Sequence, residues 1–146
     1  MMHVMRRHLV ASLVTAALPL CAACGSSGGT STVAPSPVTT TESFTATLDQ
    51  LGSATNGFTV AAAGTVQVKL TDVEPLTTMA LGVAVTTVTS GGTVCGTDIA
   101  QNTNAKSGTT ALSGTAAVGS YCVRVFDAGN IPVDTQVTYT VEVTHP

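Results

Sequence analysis

Cys95 and Cys122, the oxygen donors Asp127, Asn130 and Asp134, and His145 are the side chains here whose types and spacing could do chemistry. Two thiols are too few for a zinc site without further soft ligands, and the one histidine in the back of the chain, His145, stands next to the last residue. In an oxidising compartment such a pair closes into a disulfide. The enclosed loop of about 28 residues would then contribute about 3 to 4 kcal/mol in the chain-entropy description. Asp127, Asn130 and Asp134 share one short polar stretch, and hard oxygen ligands on a loop suit calcium. The same residue types are also the ordinary furniture of solvated turns. Asp72 and Glu74 read likewise as turn carboxylates rather than as a glycosidase pair. Nucleophilic catalysis needs a general base held inside the fold, and a histidine beside the terminal Pro146 does not promise one, so no catalytic residue and no cofactor is expected.

The elements that must position these groups are strands. Tyr121, Val123 and Val125 alternate with Ser120, Cys122 and Arg124, and Val137, Tyr139, Val141 and Val143 alternate with Thr138, Thr140 and Glu142. This parity puts the Cys95–Cys122 bond on the Arg124 side of its strand, with Val123 and Val125 inward. It also makes Arg124 and Glu142 outward neighbours, expected to form an exposed ion pair worth under about 1 kcal/mol. Upstream, Phe44, Ala46 and Leu48 form a first strand. Asn56-Gly57 reads as a tight reversal before Phe58, Val60 and Ala62. Val66, Val68 and Leu70 follow in a strand that Asp72 to Pro75 closes with a polar loop, and Met79, Leu81, Val83 and Val85 continue the alternation to Val88. Ser90-Gly91-Gly92 ends that strand and Thr93-Val94-Cys95 opens a short one, while 96–109 reads as polar and irregular. A weaker strand spans Ala111 to Thr115. Seven or eight short strands without helical periodicity predict an all-β antiparallel sandwich, jelly-roll or Ig-like, with a small barrel as the alternative.

Length and composition bound the rest. At 146 residues there is room for one domain of about a hundred residues, and threonine is the commonest residue, which suits strands with hydroxylated outer faces. Met1 to His8 carries Arg6 and Arg7, residues 9–20 are apolar, and Leu20-Cys-Ala-Ala-Cys24-Gly follows. That is the three-part form of a secretory signal over 1–23, too short to span a membrane. Ala22-Ala23-Cys24 resembles the lipobox of bacterial lipoproteins, in which the cysteine thiol is acylated, and the resemblance implies lipidation at Cys24. An ordinary cleaved signal and an uncleaved anchor are the alternatives. Arg6-Arg7 is too little for a twin-arginine signal, and Leu20 would obstruct cleavage before Cys21. Residues 24–41 are uncharged and rich in Gly, Ser, Thr and Pro, a flexible tether with an average reach of about 20 to 30 Å. Removing the segment before Cys24 takes away Arg6 and Arg7, leaving Lys69, Lys106 and Arg124 against eight carboxylates, a formal charge of about −5. No basic patch for nucleic acid survives.

Gly119-Ser-Tyr-Cys-Val-Arg-Val-Phe126 and Val137-Thr-Tyr-Thr-Val-Glu-Val143 resemble the closing strands of bacterial pre-peptidase C-terminal domains, which usually read Gly-Thr-Tyr-Tyr-Val-Arg-Val and Tyr-Thr-Leu-Thr-Val. Gly57-Phe-Thr-Val-Ala-Ala-Ala-Gly64 is similar to the same family's Phe-Val-Ala-Gly pattern. The resemblance implies a compact β-sandwich over 42–146 that is mostly a non-catalytic appendage of secreted enzymes, in some members a substrate or calcium binder. The aspartates that usually precede the family's Phe-Val strand are replaced here by Ala54-Thr55-Asn56-Gly57. The expected protein is a lipid-anchored cell-envelope module that binds, adheres or builds, with a protein or polysaccharide ligand. The alternative is an accessory substrate-binding module working beside a secreted protease or glycosidase.

Overall fold

A computed structural model describes residues 37–89 and 94–146. The signal segment, Cys24, the tether up to residue 36 and the Ser90-Gly91-Gly92 cluster lie outside the described residues. The strands are β1 (Thr40–Leu48), β2 (Ser53–Val60), β3 (Gly64–Glu74), β4 (Ala80–Val88), β5 (Cys95–Lys106), β6 (Thr109–Ala116), β7 (Gly119–Phe126) and β8 (Val137–His145). They form two four-stranded antiparallel sheets, ordered β1-β8-β3-β6 and β2-β7-β4-β5.

These orders describe one long hairpin rolled on itself. β4 pairs with β5, β3 with β6, β2 with β7 and β1 with β8, so the partners move outward in sequence from the β4–β5 connection. Of the two expected sandwich topologies it is the jelly roll. Between the sheets lie Leu70, Val73, Leu81, Val83, Val123, Val125, Tyr139 and Val141, all with essentially no exposed surface. Alternation along each strand puts them there, and hydroxyls take the other side. On the outer face of β1 and β8, Thr41 pairs with Thr144 and Thr45 with Thr140, each hydroxyl to hydroxyl at 2.9 Å.

Strand direction sorts the connections into two ends. The chain enters at Thr40 beside His145, and turns 61–63 and 117–118 lie at that end with Pro146. Turns 49–52, 75–79, 107–108 and the long segment 127–136 gather at the opposite end.

Four expectations are corrected by this architecture. Asn56 and Gly57 are not a reversal but sit inside β2 opposite Val123 and Cys122, and the chain turns earlier, at 49–52. Pairing along all of β7 overrides the local preference. Residues 96–106 are not irregular but belong to the longest strand, β5. As an edge strand with solvent beside it, β5 needs no strict alternation, and its ladder to β4 shifts register three times. Asp72 does not begin a loop, because β3 runs on to Glu74. Its ladder to β8 shifts between Leu70 and Asp72, and the extra residue, Thr71, exchanges the faces so that Val73 returns to the core. Finally, β7 and β8 are consecutive yet lie in different sheets, so Arg124 cannot meet Glu142. Arg124 pairs instead with Asp98 on β5.

That pair closes a layer on the outer face of the second sheet. β4 presents Gly82, Ala84 and Thr86 outward, opposite Phe126, Arg124 and Cys122 of β7. The small residues make a trough. Phe126 lies over Gly82, the Arg124 guanidinium stacks 4.4 Å from the Phe126 ring centroid, and the Cys95–Cys122 disulfide covers the far end.

Candidate functional site

The end remote from the chain entry is where unusual backbone and exposed apolar side chains coincide. β1 leaves through the turn Asp49-Gln50-Leu51-Gly52, closed by Gly52 N–H donating to Asp49 O at 2.9 Å. Leu51 sits there at φ 58°, a left-handed conformation that costs a branched-chain residue about 1 kcal/mol or more. What holds it is Asp127, whose Oδ2 accepts the Leu51 N–H at 2.9 Å. The other oxygen, Oδ1, accepts from Gly129, Asn130 and Ile131 N–H at 2.9, 2.7 and 3.0 Å. Burial opposes the charge of this carboxylate, but the donors at Leu51, Ile131, Asn130 and Gly129 outweigh it and hold its pKa below the usual aspartate value.

The same scaffold fixes the surface around it. Ile131 plugs into the core, Asn130 Nδ2 donates to Ala80 O at 3.0 Å, and Gln136 Nε2 donates to Asp49 Oδ1 at 2.9 Å. Asp134 is the second non-glycine residue with positive φ among the described residues, at 57°. Asp49, Gln50, Val133, Asp134, Thr135 and Gln136 line a depression of about 430 Å³. Leu51 is 79% exposed and Val133 67%, so two large apolar side chains stand out beside a polar hollow on a braced frame.

Of the calcium candidates, Asp127 spends both oxygens on backbone N–H groups and Asn130 turns its amide to Ala80, while Asp134 stands further along the same loop. Among the described residues no group of three or more His, Cys, Asp or Glu side chains is gathered as metal ligands. Cys95 and Cys122 are bonded, with Cα atoms 5.9 Å apart, and Cys122 and Arg124 share the outer face as the strand parity requires. Cys24 lies outside the described residues.

His145, expected at a loose end, is buried between the sheets at the opposite end of the sandwich. Its Nε2 lies 2.9 Å from Glu42 Oε1 and its Nδ1 3.2 Å from Pro146 O, and Phe58 of the facing sheet packs 5.4 Å from its ring. Both ring nitrogens are thereby occupied, and among the described residues no hydroxyl is bonded to either. The pairing was legible: Glu42 is in phase with Phe44, Ala46 and Leu48, and His145 with Val137 to Val143, so both point inward. The Leu51–Asp127 contact carried no such signal. Compared with protein-family models and with curated proteins, the chain matches none at a significant level.

Proposed function

We propose that this chain is a lipid-anchored bacterial cell-envelope protein whose jelly roll is a non-catalytic binding or adhesion module. It engages a protein or polysaccharide through the end remote from its tether. The observation that carries this reading is Leu51, a large apolar side chain held in the left-handed region by Asp127 and left facing solvent. Strain of this kind persists where the surroundings enforce it, and rigidly framed loops are where recognition usually resides. The end of the fold supports the same direction of use: chain entry and His145 lie together, and 49–52 and 127–136 lie opposite. The anchoring half of the proposal rests on Ala22-Ala23-Cys24 behind an apolar run.

Two measurements test the two halves separately. Mass spectrometry of the mature N-terminus should find an acylated Cys24, and a free amine beginning elsewhere would remove the anchor. In pull-downs against envelope and matrix polymers, Leu51→Asp with Val133→Asp should abolish capture at unchanged thermal stability. Capture that survives the double substitution would reject the loop end as the binding surface. The likeness of β7 and β8 to pre-peptidase C-terminal domains favours a second reading, an accessory substrate-binding module beside a secreted enzyme. A protease or glycosidase encoded next to this chain would favour it.

A further inference from the structure

Away from the loops, the two sheets fail to close along one side. β6 is an edge strand that pairs, among the described residues, with β3 alone, and β5 is the facing edge of the other sheet. Near 107–108 the two edges are tied, because Asn102 Nδ2 donates to Ala111 O at 2.9 Å. Below that tie β6 presents Leu112, Gly114 and Ala116 inward, opposite Val68, Val66 and Gly64 of β3. Two of those three inward residues are nearly without a side chain. The result is an apolar gap of about 270 Å³, floored by Phe58, Val66 and Val68 and bordered by Ile99 and Leu112. A Cβ placed on Gly114 would find nothing within 4 Å.

Edge strands are ordinarily protected by charge, proline or a covering segment. β1 carries Glu42, pointing inward, and β5 carries Asp98 and Lys106. β2 and β6 carry neither charge nor proline, and while β2 contributes Phe58 to the floor of the apolar gap, β6 runs along its rim from Leu112 to Ala116. We propose that the β6 edge is a docking slot for an extended, uncharged peptide segment of a partner protein, which adds as a further strand and drops side chains into the gap. Backbone pairing would supply affinity and the gap would select alternate apolar residues, roughly 7 Å apart along the added strand. Charge complementarity sets the chemistry of the occupant. Among the described residues no ionisable side chain except the Tyr121 phenol lines the gap, and that hydroxyl already donates to Ala117 O, so an inserted charge would be desolvated without a partner. This slot is separate from the loop end and does not rest on the anchoring.

The test uses the purified full chain and a fluorescein-labelled, end-blocked peptide of sequence Ser-Val-Thr-Leu-Thr-Val-Ser, read by fluorescence anisotropy. Saturable binding is expected, weakened at least ten-fold by methylating alternate peptide nitrogens and at least ten-fold when the Val and Leu positions become Lys. Gly114→Leu should fill the gap and weaken binding by a similar factor at an unchanged or raised melting temperature. Binding that is absent, or that ignores both backbone methylation and Gly114→Leu, would overturn the proposal. So would a dimer in sedimentation that Gly114→Leu dissolves and the peptide does not compete for, since the occupant would then be a second copy of this chain.

Discussion

Asp127 grips Leu51 from 76 positions away, its Oδ2 accepting the Leu51 N–H at 2.9 Å. A residue that follows β7 therefore shapes the turn that ends β1, and through Oδ1 it shapes its own loop as well. Asp127→Ala strips the acceptor from four backbone donors and is expected to cost about 2 to 4 kcal/mol in urea denaturation, given the usual penalty for orphaned partly buried donors. The carboxylate's folded pKa is depressed, so its contribution is fully present above the unfolded value, about 3.9, and is lost as pH falls through the lower folded value. The stability difference between the natural protein and Asp127→Asn should accordingly shrink on acidification below about pH 4. A difference that grows in acid would contradict the assignment.

Leu51 sits where glycine would be at ease. Leu51→Gly relieves the left-handed strain but adds freedom to the unfolded chain, for a net gain of about 0.5 kcal/mol. Partner capture should fall at the same time. A mutant that is more stable and binds less well is the expected signature, and thermal melts run beside pull-downs check both arms.

Gly82 is constrained from outside the core. A Cβ there would collide with the Phe126 ring, which the Arg124 guanidinium presses from above. Gly82→Ala is expected to cost about 1 to 3 kcal/mol through overpacking. Adding Phe126→Leu should recover part of that loss, and a double-mutant cycle with no coupling would show that the ring does not fill the trough.

Tyr139 is fully buried, and its hydroxyl has no hydrogen-bond partner among the described residues. Tyr139→Phe should therefore be neutral or stabilise by about 1 kcal/mol, since it removes an unsatisfied group while keeping the ring. Burial also raises the phenol's pKa. In alkali its contribution is complete below the unfolded value of about 10 and is lost as pH rises through the higher folded one, a loss that Tyr139→Phe should abolish. A mutant clearly less stable at neutral pH would point to an ordered water in the core.

What could be read in the residues alone was whatever repeats with period two. The alternation in 121–125 and 137–143 located strands, faces and the side on which the disulfide lies, because inward parity is a local property. Partnership between strands is not local. In a rolled hairpin only β4 and β5 are both consecutive and paired, so pairing Arg124 with Glu142 across consecutive strands was bound to fail, and Asp98 was hidden in a segment too polar to read as a strand. The candidate site suffered most. Leu51 acquires its conformation from a carboxylate that only the fold brings near, and no spacing in the chain encodes that contact.

The pairing of β1 with β8 has a mechanical side. The two strands stay in register over nine residue pairs, from Thr40 opposite His145 to Leu48 opposite Val137. A load entering at Thr40 and resisted at the far loops runs along these strands, whereas their hydrogen bonds lie across them. Such a load shears all the rungs together instead of opening them one by one. A pull of this kind meets the whole ladder at once.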